Sequence, residues 1–191
     1  MNVLVACEFS GIVREAFAKR GHNAWSCDLL PTEIPGKHLQ ADIIDVLRNS
    51  LHGYWDLIIM HPDCTALAVC GNRTYGRGTI KHQERLEAII WTTMLWKLAQ
   101  KYAPKVVLEN PVSVIFQYLE SPVQYIQPWQ FGHGETKKTG LALHGVPPLQ
   151  PTNIVAGREH RIWKMGPSPT RKQDRSRTYT GIAEAMAEQW G

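Results

Sequence analysis

Two short, wholly apolar runs, Leu57-Ile58-Ile59-Met60 and Val106-Val107-Leu108, end abruptly in polar turns that contain proline: His61-Pro62-Asp63-Cys64-Thr65 after the first, Glu109-Asn110-Pro111 after the second. Apolar runs of this length without polar alternation are strands covered on both faces, the situation of a parallel sheet between two helical layers. Such a sheet presents its chemistry at the carboxyl ends of its strands. A thiol, Cys64, and a carboxylate, Glu109, therefore share one edge. The pair suits covalent attack on an electron-poor ring with an acid at hand to protonate it.

The rest of the chain alternates strand and helix signals. Residues 3–7 read as a first strand, and 11–20 as a helix with Ile12, Val13, Ala16 and Phe17 inward and Gly21 as its stop. Residues 23–27 form a second strand ending at Asp28, and 39–47 hold a short strand or turn around Asp42. A strand at 55–60 precedes a long helix at 83–102, where Leu86, Ile89, Ile90, Met94, Leu95 and Leu98 keep helical spacing. A strand at 105–108, a short helix at 112–119, a late strand at 140–143 and a final helix at 181–189 complete the order. This alternation predicts an α/β fold, a doubly wound and mostly parallel sheet, in a single domain over 1–191. Trp91 and Trp96 are expected in its core.

Four cysteines (Cys7, Cys27, Cys64, Cys70) without a C-x-x-C pair argue for reduced thiols rather than a disulfide framework or zinc knuckle. His61, Cys64 and Cys70 lack a convincing fourth ligand, so no metal is expected. The amino terminus shows no signal-peptide pattern and no segment reaches transmembrane length, so a cytoplasmic location is expected. The net charge of +4 is unevenly spread. Between Lys137 and Arg177 nine Lys or Arg face two acids, an excess of seven, which leaves the remainder at −3. With Trp163 and Tyr179 interleaved, this third reads as a phosphate-facing surface for nucleic acid.

The first turn, Ala6-Cys7-Glu8-Phe9-Ser10-Gly11, with Asp28 closing the second strand, has the layout of a nucleoside-cofactor site. Neither G-x-G-x-x-G nor a P-loop is present, which disfavours dinucleotides and nucleoside triphosphates and leaves a cofactor without phosphates, such as S-adenosylmethionine.

Phe9-Ser10-Gly11, Asp28, Ala41-Asp42-Ile43, Pro62-Asp63-Cys64 and Glu109-Asn110-Pro111 occur in the order, and at roughly the spacing, of the DNA cytosine-5 methyltransferases. The chain most resembles their small phage and prophage relatives, bacterial-host proteins tied to restriction evasion. The resemblance implies that Phe9, Ser10, Gly11, Asp28, Asp42 and Pro62 hold S-adenosylmethionine, with Asp42 at the adenine. It implies that Cys64 adds to C6 of a cytosine, and that Glu109 contacts N3 and the exocyclic amine and supplies a proton. Glu109 must then keep a proton near neutrality, which partial burial would favour.

Three departures from that pattern stand out. Asp63 separates Pro62 from Cys64, and a carboxylate beside a thiol raises its pKa or handles a proton itself. The paired arginines after an aromatic-glycine step have no clean match; Lys137 and Lys138 follow Phe131-Gly132 in chain order, with Arg158 and Arg161 later. A large target-recognition domain is replaced by a basic insert at about 145–177. Substrate contacts are accordingly expected from Asn110, Arg73 in the glycine-hinged loop after Cys64, Lys137, Lys138, Arg158, Arg161, Arg171 and Lys172, with DNA as the partner. A protein partner or a second copy could complete target recognition. Three other readings stay open: exocyclic amino-methylation, action on a free pyrimidine nucleotide, and a non-catalytic decoy that binds DNA or a restriction enzyme.

Overall fold

Alternation along a strand sends successive side chains to opposite faces, so strands apolar at every position need helices on both sides. The computed structural model, which describes residues 1–50 and 54–191, has that arrangement. Its sheet comprises β1 (Asn2–Ala6), β2 (Asn23–Asp28), β3 (His38–Gln40), β4 (Leu57–Met60), β5 (Lys105–Pro111), β6 (Val123–Ile126) and β7 (Thr139–His144). Their order across the sheet is β3-β2-β1-β4-β5-β7-β6. β1 to β5 run parallel, and β7 lies antiparallel between β5 and β6.

One face packs Leu4, Ala6, Ile58, Met60, Val106 and Leu108 against α2 (Ile43–Asn49) and α4 (His82–Tyr102). The other packs Val3, Val5, Leu57, Ile59 and Val107 against α1 (Ile12–Lys19) and α7 (Thr180–Trp190). Short helices α3 (Asn72–Tyr75), α5 (Arg161–Lys164) and α6 (Arg171–Ser176) belong to the connections. The doubly wound, mostly parallel sheet expected from the sequence is therefore present. Trp96 is fully enclosed, and Trp91 packs partly buried against the same core.

Several elements differ from expectation for identifiable reasons. The segment around Asp42 is a strand followed by a whole helix, because the Asp42 carboxylate accepts a hydrogen bond from the Ile44 amide at 2.7 Å and caps α2. The helix expected at 112–119 shrinks to a single tight turn, Val114–Gln117. β6 was not anticipated; its half-exposed edge position gives no apolar run to read. On α4 the buried stripe runs through Arg85, Ile89, Thr92, Leu95, Trp96, Ala99 and Tyr102, whereas Leu86, Ile90 and Met94 face outward.

Register levels the carboxyl ends of three central strands. Ala6 pairs with Met60, and Met60 with Leu108. The next residues, Cys7, His61 and Glu109, thus stand side by side where the strand order reverses, the place at which open α/β sheets bind ligands.

Candidate active site

His61 and Glu109 share the parity of Ile59 and Val107, so both side chains project to the same face of the sheet edge and meet. His61 Nδ1 lies 3.2 Å from Glu109 Oε2, with the two side chains only 9% and 12% exposed. The His61 amide continues the ladder to the Ala6 carbonyl at 2.9 Å, which fixes the ring's base. Burial pushes the Glu109 carboxyl up, but His61, the Lys137 ammonium and the Thr139 hydroxyl outweigh it and hold the group below the usual carboxylate range. The expectation that burial keeps Glu109 protonated is therefore corrected: hydrogen bonds from His61 and the Thr139 hydroxyl, with the Lys137 charge, favour the charged form.

Cys64 sits at the end of the β4 turn, partly exposed. Burial first, then the charges of Glu109 and Asp63, push its thiol up to about 11, with Lys137 opposing them. Asp63 acts in the direction foreseen but is only the third cause. Its side chain is 58% exposed and does not stand unopposed: Lys172 Nζ lies 2.8 Å from Oδ2, while Oδ1 accepts from the Thr65 amide and hydroxyl. Burial raises the Asp63 carboxyl, and those donors pull it lower than its ordinary value. Asn110 is buried, donating to the Pro62 carbonyl at 2.9 Å and accepting from the Ser113 hydroxyl. It ties the Cys64 turn to β5 instead of facing open space.

The first turn shows why a phosphate-bearing ligand does not belong there. The Glu8 carboxylate accepts from the amides of Val13 at 2.7 Å and Arg14 at 3.3 Å, and so occupies the α1 terminus where a phosphate would sit. Gly11 adopts φ +75°, and a Cβ there would come within 2.7 Å of Arg14 Nη2. Cys7 also has positive φ, 57°, unusual for a residue with a side chain. That turn rotates its thiol onto the α2/α4 face, where burial and then Asp28, Cys27, Asp42 and Asp63 push it up. The carboxylates of Asp28, Asp42 and Asp63 thus lie close enough to the carboxyl end of β1 to act on that thiol. Asp28 also accepts from the Leu30 amide at 2.9 Å. Ser10 is buried beside Glu8, while Phe9 lies under the Arg177 guanidinium, 5.9 Å from ring centroid to Cζ.

The basic residues separate into distinct environments. Lys137 is close enough to act on both Cys64 and Glu109, and Lys172 also feels Cys64; Lys137 donates to the Arg177 carbonyl at 3.2 Å. Lys138, next along the chain, lies over the Tyr125 ring at 4.6 Å. Arg158 stacks on Trp129 at 3.9 Å, and Arg161 pairs with Glu135 at 2.9 Å, an oxygen that Tyr179 also donates to. Arg171 donates to the Met165 carbonyl at 3.0 Å. Arg73 is exposed on α3, in a loop fastened by Arg85, which donates to the carbonyls of Ala66 and Ala68 and to Asn72.

Arg177, which the sequence reading did not single out, grips Glu33 through two hydrogen bonds, at 2.8 and 2.5 Å. Together with Lys172 on Asp63, it draws α6 across both the first turn and the Cys64 turn. Among residues overlooked in the sequence, His61 adjoined the motif itself; Arg177 and Glu33 are 144 positions apart and carried no local signal. No group of residues able to hold a metal occurs among the described residues.

No protein-family model matches the chain, and no curated protein is significantly similar to it. Among solved structures, it resembles a prophage-encoded E. coli protein provisionally described as a DNA modification methyltransferase, at 12% identity and TM-score 0.52 over 81% of this chain and 52% of the other. A methyltransferase of Entamoeba histolytica aligns at 12% identity and TM-score 0.49, over 81% of this chain and 57% of that one. The chain spans about half the length of the E. coli protein, and it shares that protein's Rossmann-like fold.

Proposed function

We propose that the protein is an S-adenosylmethionine-dependent methyltransferase acting on cytosine C5 in DNA, with Cys64 as the nucleophile. The observation that carries this reading is the buried His61–Glu109 pair at the carboxyl ends of β4 and β5, with the Cys64 thiol close enough for Glu109 to act on it. The groups around the first turn fit the cofactor's chemistry. Carboxylates of Asp28, Asp42 and Asp63 favour a cation and can accept from ribose hydroxyls, and Glu8 fills the helix terminus that a phosphate would need. S-adenosylmethionine, when bound, supplies a methyl group on a positively charged sulfur.

The chain's own groups account for the remaining chemistry. Cys64, once deprotonated, adds to C6 of the ring; its raised pKa means that the thiolate forms only with help, and Lys137 is the cation placed to give it. The His61–Glu109 pair faces the N3 and amino edge and keeps negative charge from building on the ring. Loss of the C5 proton to water then expels the thiolate. The basic carboxyl-terminal third supplies phosphate contacts in place of a recognition domain. Support for DNA as substrate comes from that charge and from the fold shared with the E. coli protein.

The test is incubation with tritium-labelled S-adenosylmethionine and duplex DNA, single-stranded DNA or free nucleotides, followed by nucleoside analysis. Label in 5-methylcytosine supports the reading. Label on an exocyclic nitrogen transfers the assignment to amino-methylation, and cofactor binding without any transfer points to a decoy.

A further inference from the structure

Two buried side-chain polar atoms lack a hydrogen-bond partner among the described residues: Thr93 Oγ1 on α4 and His61 Nε2. The second lies on a ring whose side chain is 9% exposed and whose other nitrogen is already engaged by Glu109. An ionised carboxylate only accepts hydrogen bonds, so the hydrogen between the two groups belongs to His61 Nδ1. Nε2 then remains as the one ring atom able to act on a ligand. Burial without a partner is unfavourable for such a group, a cost tolerated where a ligand later fills the position.

The hydrogen-bonding edge of cytosine fits this pair in one sense only. Its exocyclic amine donates, and its N3 accepts. A carboxylate can receive the amine hydrogen but has nothing to offer N3, whereas an imidazolium Nε2–H can. Glu109 is surrounded by His61, Lys137 and the Thr139 hydroxyl, with Cys64 as the other titratable neighbour; each of the first three favours its charged form.

We propose that His61, rather than Glu109, hands the proton to ring N3, while Glu109 accepts from the exocyclic amine and anchors the imidazole. The inference rests on the cytosine-C5 reading above. As the Cys64 sulfur bonds to C6, the C5–C6 π pair shifts toward C4 and the N3–C4 π pair moves onto N3. N3 takes the proton from His61 Nε2, leaving a neutral imidazole still donating through Nδ1 to Glu109. When C5 takes the methyl group, the N3–C4 double bond re-forms and the N3 proton returns to His61. C5 then loses its proton to water, the C5–C6 double bond re-forms, and the Cys64 thiolate leaves.

Thiol addition alone makes the C5 hydrogen exchangeable, so the addition step is read by tritium release from duplex DNA carrying 5-tritiated deoxycytidine. Wild-type protein is expected to release tritium. His61→Gln and His61→Ala should each slow that release by at least about a hundredfold, the effect of losing a positioned proton donor. S-adenosylmethionine affinity should be unchanged in both, which reports that they are folded. Added imidazole should restore His61→Ala, and substituted imidazoles should restore it in an order set by their own pKa, which a purely space-filling role does not produce. Release within threefold of wild type in His61→Gln, or no rescue of a cofactor-binding His61→Ala, overturns the inference while leaving the cytosine reading intact. No release from wild-type protein overturns both.

Discussion

At Cys64, three opposing charges and burial decide how readily a nucleophile forms. Burial and Glu109 precede Asp63 among the causes of its raised pKa, and Lys172 already offsets the Asp63 charge. Asp63→Asn is therefore expected to lower the midpoint of Cys64 alkylation by iodoacetamide, from about 11, by less than about one unit. A drop of several units would mean that Asp63, not burial, controls the thiol. Glu109→Gln is expected to slow methyl transfer by about two to four orders of magnitude, since one neutral amide oxygen replaces the two charged oxygens that serve His61 and the exocyclic amine. Measured single-turnover rates check this. The thiol and carboxylate were readable because each follows an apolar run. Their protonation was not, because it depends on His61, Lys137 and Thr139, which the fold brings in from β4 and from the start of β7.

At the level of elements, Asp42 has two duties that a single substitution would confuse. Its carboxylate caps α2, and loss of such a cap costs about 0.5–2 kcal/mol. Asp42→Asn retains an oxygen for the Ile44 amide and should keep the melting temperature, while weakening S-adenosylmethionine binding measured by calorimetry; Asp42→Ala should lower both. Equal cofactor affinity in Asp42→Asn and wild type would remove Asp42 from the site. The α6 segment carries a separate expectation. Its hold on the β2–β3 connection and on the Cys64 turn depends on Arg177–Glu33 and Lys172–Asp63, so Glu33→Gln should hasten tryptic cleavage after Lys172, Arg175 and Arg177 at neutral pH. Strands with continuous apolar runs were legible from sequence. α2 was misjudged because its capping aspartate reads equally as a turn, and β6 because an edge strand needs no apolar pattern. The α6 strap was invisible, as its contacts link residues more than a hundred positions apart.

Taken as a whole, the molecule spends much of its carboxyl-terminal basicity internally. Arg161, Lys172 and Arg177 are paired with acids, and Lys138 and Arg158 lie on aromatic rings. Lys164 and Arg175 have no ion pair among the described residues. The salt dependence of DNA binding should then be modest, a log-log slope of about −2 to −4 rather than the −8 that nine phosphate contacts would give. The same pairings set an acid limit. Glu33, Asp63, Glu109, Glu135 and Asp174 all lie below their ordinary values. Groups depressed by folding stabilise the native state above their unfolded values, 4.5 for Glu and 3.8 for Asp, and lose that contribution as pH falls through the folded values. Melting temperature should thus be level near neutrality and fall progressively below about pH 4.

The central claim is a covalent bond between Cys64 and a cytosine ring, and mass spectrometry of the protein with S-adenosylmethionine and duplex DNA containing 5-fluorodeoxycytidine tests it most directly. Fluorine at C5 blocks the final proton loss, so the account predicts a stable one-to-one adduct on the peptide bearing Cys64, carrying the transferred methyl group and absent in Cys64→Ser. Methylated DNA with no adduct, or a Cys64→Ser variant that methylates at the wild-type rate, would contradict it.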